Sequence, residues 1–291
     1  MAFTYQHDLD WREHFVRYGF ALRRGLVGAD CCARALQRAR EIVDHVDLPL
    51  SQWTSENTPT LHTPYYEGAG PREPALDAVY DEPGVRESIA ALFGSDEHWD
   101  RQRNYYLFVK GYDAKARPSL APRGHIDFAS PPAPPLYRGF AFQVALTDTE
   151  PFGGNLTVHP GSHRTIQKAL IDGHDVASSP DLPQEAPWEF VAQAGDVLFT
   201  HHLLAHSGNS CHGDKHLPRV TLFCEAFSHA WVQRIDDEVA KQGPWFRSLA
   251  QNGPCENDPL NERRLEELRR KYVRDLRVKA EKGEAVGNAY A

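Results

Sequence analysis

The sequence predicts a mainly β protein with flanking helices, its core a double-stranded β-helix of the jelly-roll, cupin-like kind. Three observations lead there. Short runs of β-branched and aromatic residues follow one another from about residue 104 to 227, each bounded by glycine or proline. Helical spacing is confined to the first third and to the tail. Helices and strands do not alternate, which argues against a parallel βαβ sheet and for two antiparallel sheets packed face to face.

In chain order, residues 8–26 read as a short amphipathic helix followed by the strand GFALRRGLV. A helix over about Ala29–Val46 puts Ala35, Ala39, Ile42, Val43 and Val46 on one side. Residues 47–75 have no period and are rich in Pro, Thr and Tyr, which fits either an active-site lid or an ordered surface connection. Pro83–Phe93 is a second helix, stopped by Gly94. Asn104–Tyr112 is dense enough in aromatics for a buried strand. The four prolines of Ala129–Pro135 exclude a central strand and make a stiff loop. Phe140–Leu146 is a strand with Phe140, Phe142, Val144 and Leu146 on one face and Gln143 on the other. Short strands over Asn155–His159 and Trp188–Ala192 flank a loop at 172–187, and Val197–Ala205 and Val220–Phe227 complete the core.

Within residues 260–282, Leu265, Leu268, Tyr272 and Leu276 recur at helical spacing, and Glu266/Arg270 and Glu267/Lys271 form i,i+4 pairs. No repeat or linker divides the 291 residues. They are expected to form one domain, with a helical part over about 8–95, the jelly roll over about 103–230 and a helical extension over about 231–282.

Hydrophobic content of 41% and charged content of 25% are those of a globular protein, and no apolar run approaches a membrane span. The net charge is −8, with nine Lys/Arg against five Asp/Glu between 261 and 282, so the body is acidic and nucleic acid is a poor partner. The five cysteines have no metal-ligand spacing and read as reduced thiols. The expectation is a cytoplasmic protein, monomer or homodimer, acting on a small molecule, with neither nucleic acid nor membrane as partner.

Chemistry concentrates in two stretches. In GHIDF, His125 and Asp127 share a face if the chain is extended. In the stretch from Gly195 to Phe223, His206 closes one strand-like run and Arg219 opens the next. Two histidines and one carboxylate leave three open positions on a metal and suit non-haem Fe(II) oxygen chemistry. A planar arginine can fork onto a carboxylate, which lysine does less well. His201 and His202 rival His206; on a regular strand His202 shares its face and would orient water or a ligand beside the metal.

This ordered set, His125-x-Asp127, then GGNLTVHPGSH at 153–163, Gly195-Asp196, and His206 followed by Arg219, resembles the phytanoyl-CoA dioxygenase-like family of Fe(II)/2-oxoglutarate oxygenases. The likeness covers roughly residues 10–230. It implies a dioxygenase with iron held by His125, Asp127 and His206, using O2 and 2-oxoglutarate, whose far carboxylate Arg219 would hold. Gln143, Ser207 and Thr157 are secondary contacts to that cosubstrate or ordinary structural residues, and His163 fixes a loop. Arg123 stands where relatives commonly carry an aromatic residue. With Arg103, Tyr106 and Phe128 it could line the substrate pocket. A carboxylate at 127 implies hydroxylation, desaturation or cyclisation rather than halogenation, with hydroxylation of a small molecule expected first. Two alternatives stay open, a cupin-type metalloprotein with a non-oxidative or different-metal activity, and a non-catalytic jelly-roll scaffold or sensor.

Overall fold

The structure, a computed structural model, describes residues 3–58, 61–65, 73–116, 124–126, 139–171, 187–209, 211–230, 232, 233 and 237, with backbone alone at 61–65, 101–103 and 169–171. Helix α1 (Trp11–Tyr18) begins where the Asp10 carboxylate accepts the Arg12 amide, and ends at Gly19, whose φ of 83° favours glycine. Strand β1 (Phe20–Arg23) follows at once, then α2 (Ala29–Ile42), the edge strand β2 (Leu61–Tyr65), a short helix α3 (Pro74–Asp77) and α4 (Pro83–Phe93). The barrel strands are β3 (Trp99–Lys110), β4 (Gly139–Ala145), β5 (Leu156–Val158), β6 (Trp188–Glu189), β7 (Val197–His201), β8 (His206–Gly208) and β9 (Arg219–Ser228), with α5 (Ser162–Ile171) between β5 and β6.

All pairings between these strands are antiparallel, in two sheets, β1-β7-β4-β9-β3-β2 and β6-β5-β8. The jelly roll expected from the sequence is the fold. Strand alternation divides the larger sheet into two faces with different chemistry. On one face, Leu107, Val109, Phe142, Val144, Phe199, Val220 and Leu222 pack with Phe15, Ala35, Ala39, Val85 and Ile89 of the helices in a single apolar cluster. Full burial of one such large side chain stabilises the fold by about 1.5–3 kcal/mol.

The opposite face turns toward the smaller sheet. At the β1–β7 side it is apolar, with Phe20, Leu22, Leu198 and Ala145 closing on Leu156, Val158, Phe190 and Leu204. Toward β4, β9 and β3 it becomes polar and aromatic. The register aligns Leu198, Gln143, Phe223 and Tyr106 in one transverse row and Lys110 with Arg219 in another. One end of the barrel is thus an apolar plug and the other carries reactive groups.

Several sequence expectations shift. Helix α2 stops at Ile42 rather than near Val46, because the chain turns through Asp44 at φ 57°, leaving Val46 exposed. The stretch 47–75 is not one aperiodic loop, since β2 lies within it and pairs with β3 as an edge strand, a place that tolerates Pro64. The run 197–205 is not one strand. It breaks after His201, where the Leu204 amide bonds back to the His201 carbonyl, and resumes at His206 in the other sheet. Helix α5 was not anticipated. The Ala129–Pro135 loop, most of the 172–187 loop and the 260–282 helix lie outside the described residues. Among the described residues no helix is long and apolar enough to cross a membrane.

Candidate functional site

His125 and His206 meet across one antiparallel bridge between distant parts of the chain. The His125 amide donates to the His206 carbonyl at 2.8 Å and the His206 amide returns the bond at 2.9 Å. Their ring centroids are 4.6 Å apart with planes tilted by 51°. Glycine at 124 permits this approach, since a Cβ there would sit 2.9 Å from the His206 nitrogen and 3.0 Å from the His159 ring. His206 Nδ1 lies 2.9 Å from the Leu204 carbonyl. That acceptor keeps the proton on Nδ1 and puts the lone pair on Nε2, the form in which imidazole binds a metal.

Asp127 lies outside the described residues, as do Arg123 and Phe128, and of Arg103 only the backbone in β3 is described. Among the described residues no group of three His, Cys, Asp or Glu is arranged to hold a metal ion. A complete ligand set with His125 and His206 therefore needs a donor from beyond them.

Arg219 begins β9 on the inner face and is 6% exposed. Its Nε and Nη1 are buried without a hydrogen-bond partner among the described residues. Burial pushes the guanidinium down to about 10, and the Cys211 thiol beside it offsets this only in part. Leaving a charge buried and unpaired costs several kcal/mol, about 3–5 in measured cases. The guanidinium lies against Gly208, two residues from His206: a Cβ on that glycine would be 3.6 Å from Nη1 and 3.7 Å from Nη2. A buried cation with idle donors beside two facing histidines fits an anionic group held next to a metal.

Two of the secondary candidates bond each other. Thr157 and Ser207 are register partners, with Oγ1 and Oγ 2.9 Å apart, and Thr157 Oγ1 also donates to the Ser207 carbonyl at 3.2 Å. Their hydroxyls brace the strand that carries His206. Gln143 is buried on the inner face, its Nε2 3.4 Å from Thr221 Oγ1 and its Oε1 without a partner among the described residues. His202 sits in the turn after β7, not on the strand of His206, and its Nδ1 lies 3.1 Å from the Gly139 carbonyl. The shared strand face expected for His202 and His206 does not exist. His163 opens α5, and its Nε2 reaches the Val16 carbonyl of α1 at 3.2 Å.

The structure adds residues that the sequence reading passed over. Lys110 is the register partner of Arg219, and its Nζ donates to the Asn209 carbonyl at 2.6 Å. Burial, then the neighbouring guanidinium, push its ammonium below the usual range. His159 packs beside Gly124, and burial, helped by His206, pushes its imidazole down. Phe108 and Phe223 join Tyr106 on the inner face. For Phe108 and Lys110 the signal lay in NYYLFVKGY, where Tyr106, Phe108 and Lys110 alternate with the buried Tyr105, Leu107 and Val109.

Among solved structures, the epimerase SnoN, in complex with Fe3+, alpha ketoglutarate and nogalamycin RO, matches with a TM-score of 0.52 at 20% identity, over 75% of this chain and 82% of its own. EvdO2 from Micromonospora carbonacea var. aurantiaca, complexed with 2-oxoglutarate, matches at 0.52 and 16% identity, over 78% of this chain and 93% of its own. EctD from S. alaskensis, with 2-oxoglutarate and 5-hydroxyectoine, matches at 0.51 and 18% identity, over 78% and 79%. At these identities the likeness is one of fold. No curated protein matches the chain. The sequence profile of phytanoyl-CoA dioxygenase (PhyH) matches residues 15–220, more than half of the chain, and the chain therefore belongs to the phytanoyl-CoA dioxygenase family.

Proposed function

We propose that this protein is a non-haem Fe(II)/2-oxoglutarate-dependent dioxygenase that hydroxylates a C–H bond of a small molecule. The observation that carries the reading is Arg219, a buried guanidinium beside the His125–His206 pair with two donor atoms that have no partner among the described residues. His125, Asp127 and His206 would hold the iron, and Arg219 the far carboxylate of 2-oxoglutarate. When bound, the iron and cosubstrate couple O2 and the decarboxylation of 2-oxoglutarate, to succinate and CO2, to oxidation of the substrate. Binding of 2-oxoglutarate by SnoN, EvdO2 and EctD on the same fold supports the choice of cosubstrate.

The chain's own contribution is binding, orientation and exclusion of water. Arg219 presents a planar fork to a carboxylate, and its burial keeps water from competing for those donors. Lys110 adds positive charge on the same row and, through the Asn209 carbonyl, ties β3 to the end of the strand bearing His206. The Leu204 carbonyl holds the His206 ring in the metal-binding tautomer.

Addition of Fe(II) and 2-oxoglutarate without oxygen is expected to raise a weak visible absorption band from the chelated 2-oxo acid. Asp127→Gly is expected to weaken iron binding and abolish the band while 2-oxoglutarate still binds. A parent protein with no band and no 2-oxoglutarate binding would overturn the proposal.

A further inference from the structure

The part of the inner face next to the histidine pair is aromatic, and this is not explained by the core. Phe223 is the only one of the ten residues of β9 that is not buried. On β3, Tyr106 and Phe108 are half-buried while Tyr105, Leu107 and Val109 between and beside them are fully buried. Among the described residues, none of the three belongs to either apolar cluster. Their rings contact one another. Tyr106 and Phe223 are 6.2 Å apart, Phe108 and Phe223 6.2 Å, and Tyr106 and Phe108 6.3 Å, centroid to centroid.

The set is tied to the site at two points. The Phe223 ring runs nearly parallel to that of His206, at 6.3 Å and 24°. The Arg219 guanidinium carbon lies 6.0 Å from the Phe108 centroid. Phe108 therefore adjoins the position assigned to the cosubstrate, Phe223 faces the histidine, and Tyr106 packs against both rings. Three rings tilted against one another by 40°, 62° and 78° offer both faces and edges to a further ring, the arrangements aromatic groups prefer. A polar or charged substrate would gain little from this wall, which lacks donors apart from the Tyr106 hydroxyl.

We propose that Tyr106, Phe108 and Phe223 form the specificity wall of the active site and that the substrate is a planar, largely apolar ring system, lying against Phe223 beside His206. This rests on the dioxygenase reading above. It assigns the substrate class that the motifs leave open.

The test uses two probes with one carbon skeleton and one hydroxyl, 2-naphthol, which is flat and aromatic, and decahydro-2-naphthol, which is neither. Each is titrated by NMR into the protein loaded with Fe(II) and 2-oxoglutarate under nitrogen, so that no turnover occurs. The parent is expected to bind 2-naphthol about tenfold more tightly than the saturated alcohol. Phe223→Leu and Tyr106→Leu are each expected to weaken 2-naphthol by about threefold to tenfold, the scale of one aromatic contact, with 2-oxoglutarate affinity unchanged. Equal affinity for the two probes, or a naphthol affinity indifferent to both substitutions, would overturn this inference alone. A parent that fails to bind 2-oxoglutarate would overturn the dioxygenase reading with it. The two-probe comparison on the parent decides the question even where a variant does not fold.

Discussion

Replacing Arg219 by methionine separates a ligand-binding arginine from a structural one. The parent buries a guanidinium whose Nε and Nη1 have no partner among the described residues, so the free protein carries an uncompensated desolvation cost. Methionine fills a similar volume without charge, and the variant should unfold at the same temperature as the parent or higher when no cosubstrate is present. With 2-oxoglutarate the order reverses. Loss of one partner of a buried charge pair costs about 2–5 kcal/mol, or roughly 30-fold to 5,000-fold in affinity. At a concentration 100 times its dissociation constant the cosubstrate should stabilise the parent by about 2.7 kcal/mol, raising its midpoint by about 5–10 °C. The variant should show almost no rise at that concentration. Calorimetry for affinity and thermal scans with and without 2-oxoglutarate supply both numbers. Undiminished affinity, or a large loss of stability in the free variant, would refute the reasoning, the latter because it would mean that Arg219 already has a structural partner.

Three further outcomes are expected. His206→Ala should abolish the Fe(II)–2-oxoglutarate band while His202→Ala keeps it, because His202 lies in a turn outside the smaller sheet; the reverse result would reassign the ligand. Gly124→Ala should press a Cβ against the backbone at His206 and Ala205, costing about 1–3 kcal/mol in unfolding measurements and weakening iron binding more than 2-oxoglutarate binding. Burial pushes the His163 imidazole down to about 4, below its unfolded value of about 6.5. Its contribution to stability is therefore full above pH 6.5 and is lost as pH falls toward 4, by on the order of 3 kcal/mol at most. His163→Gln should flatten the fall in thermal midpoint between pH 7 and 4.5 relative to the parent, and parallel profiles would show that another group is responsible.

The architecture was legible because its signals are local. Amphipathic spacing after residue 8, Gly94 at the end of a helix and alternation along Phe140–Leu146 each act within a few residues, and α1, α4 and β4 lie close to where those signals place them. The misses came where a distant partner overrode local preference. The segment 61–65 has Pro64 in its middle and reads as loop, yet β3 offers it an open edge. The run 197–205 is apolar enough for one strand, but His206 is drawn into pairing with Val158 and His125, so the chain turns a corner between sheets.

For the site, the sequence by itself determined which candidate donors the chain offers, their order and hence the likeness to the family, since the order of histidine, carboxylate and arginine can be read without the fold. Only the tertiary structure decided what faces what. That Arg219 is buried with donors unpartnered among the described residues, that Lys110 stands opposite it, and that Ser207 and Thr157 satisfy each other are outcomes of strand register, set by pairings between residues 50 or more positions apart. The aromatic wall has the same origin. Tyr106 and Phe223 are separated by over a hundred residues and share a face because β3 and β9 are antiparallel neighbours, and a one-residue slip in that register would turn one of them to the opposite face.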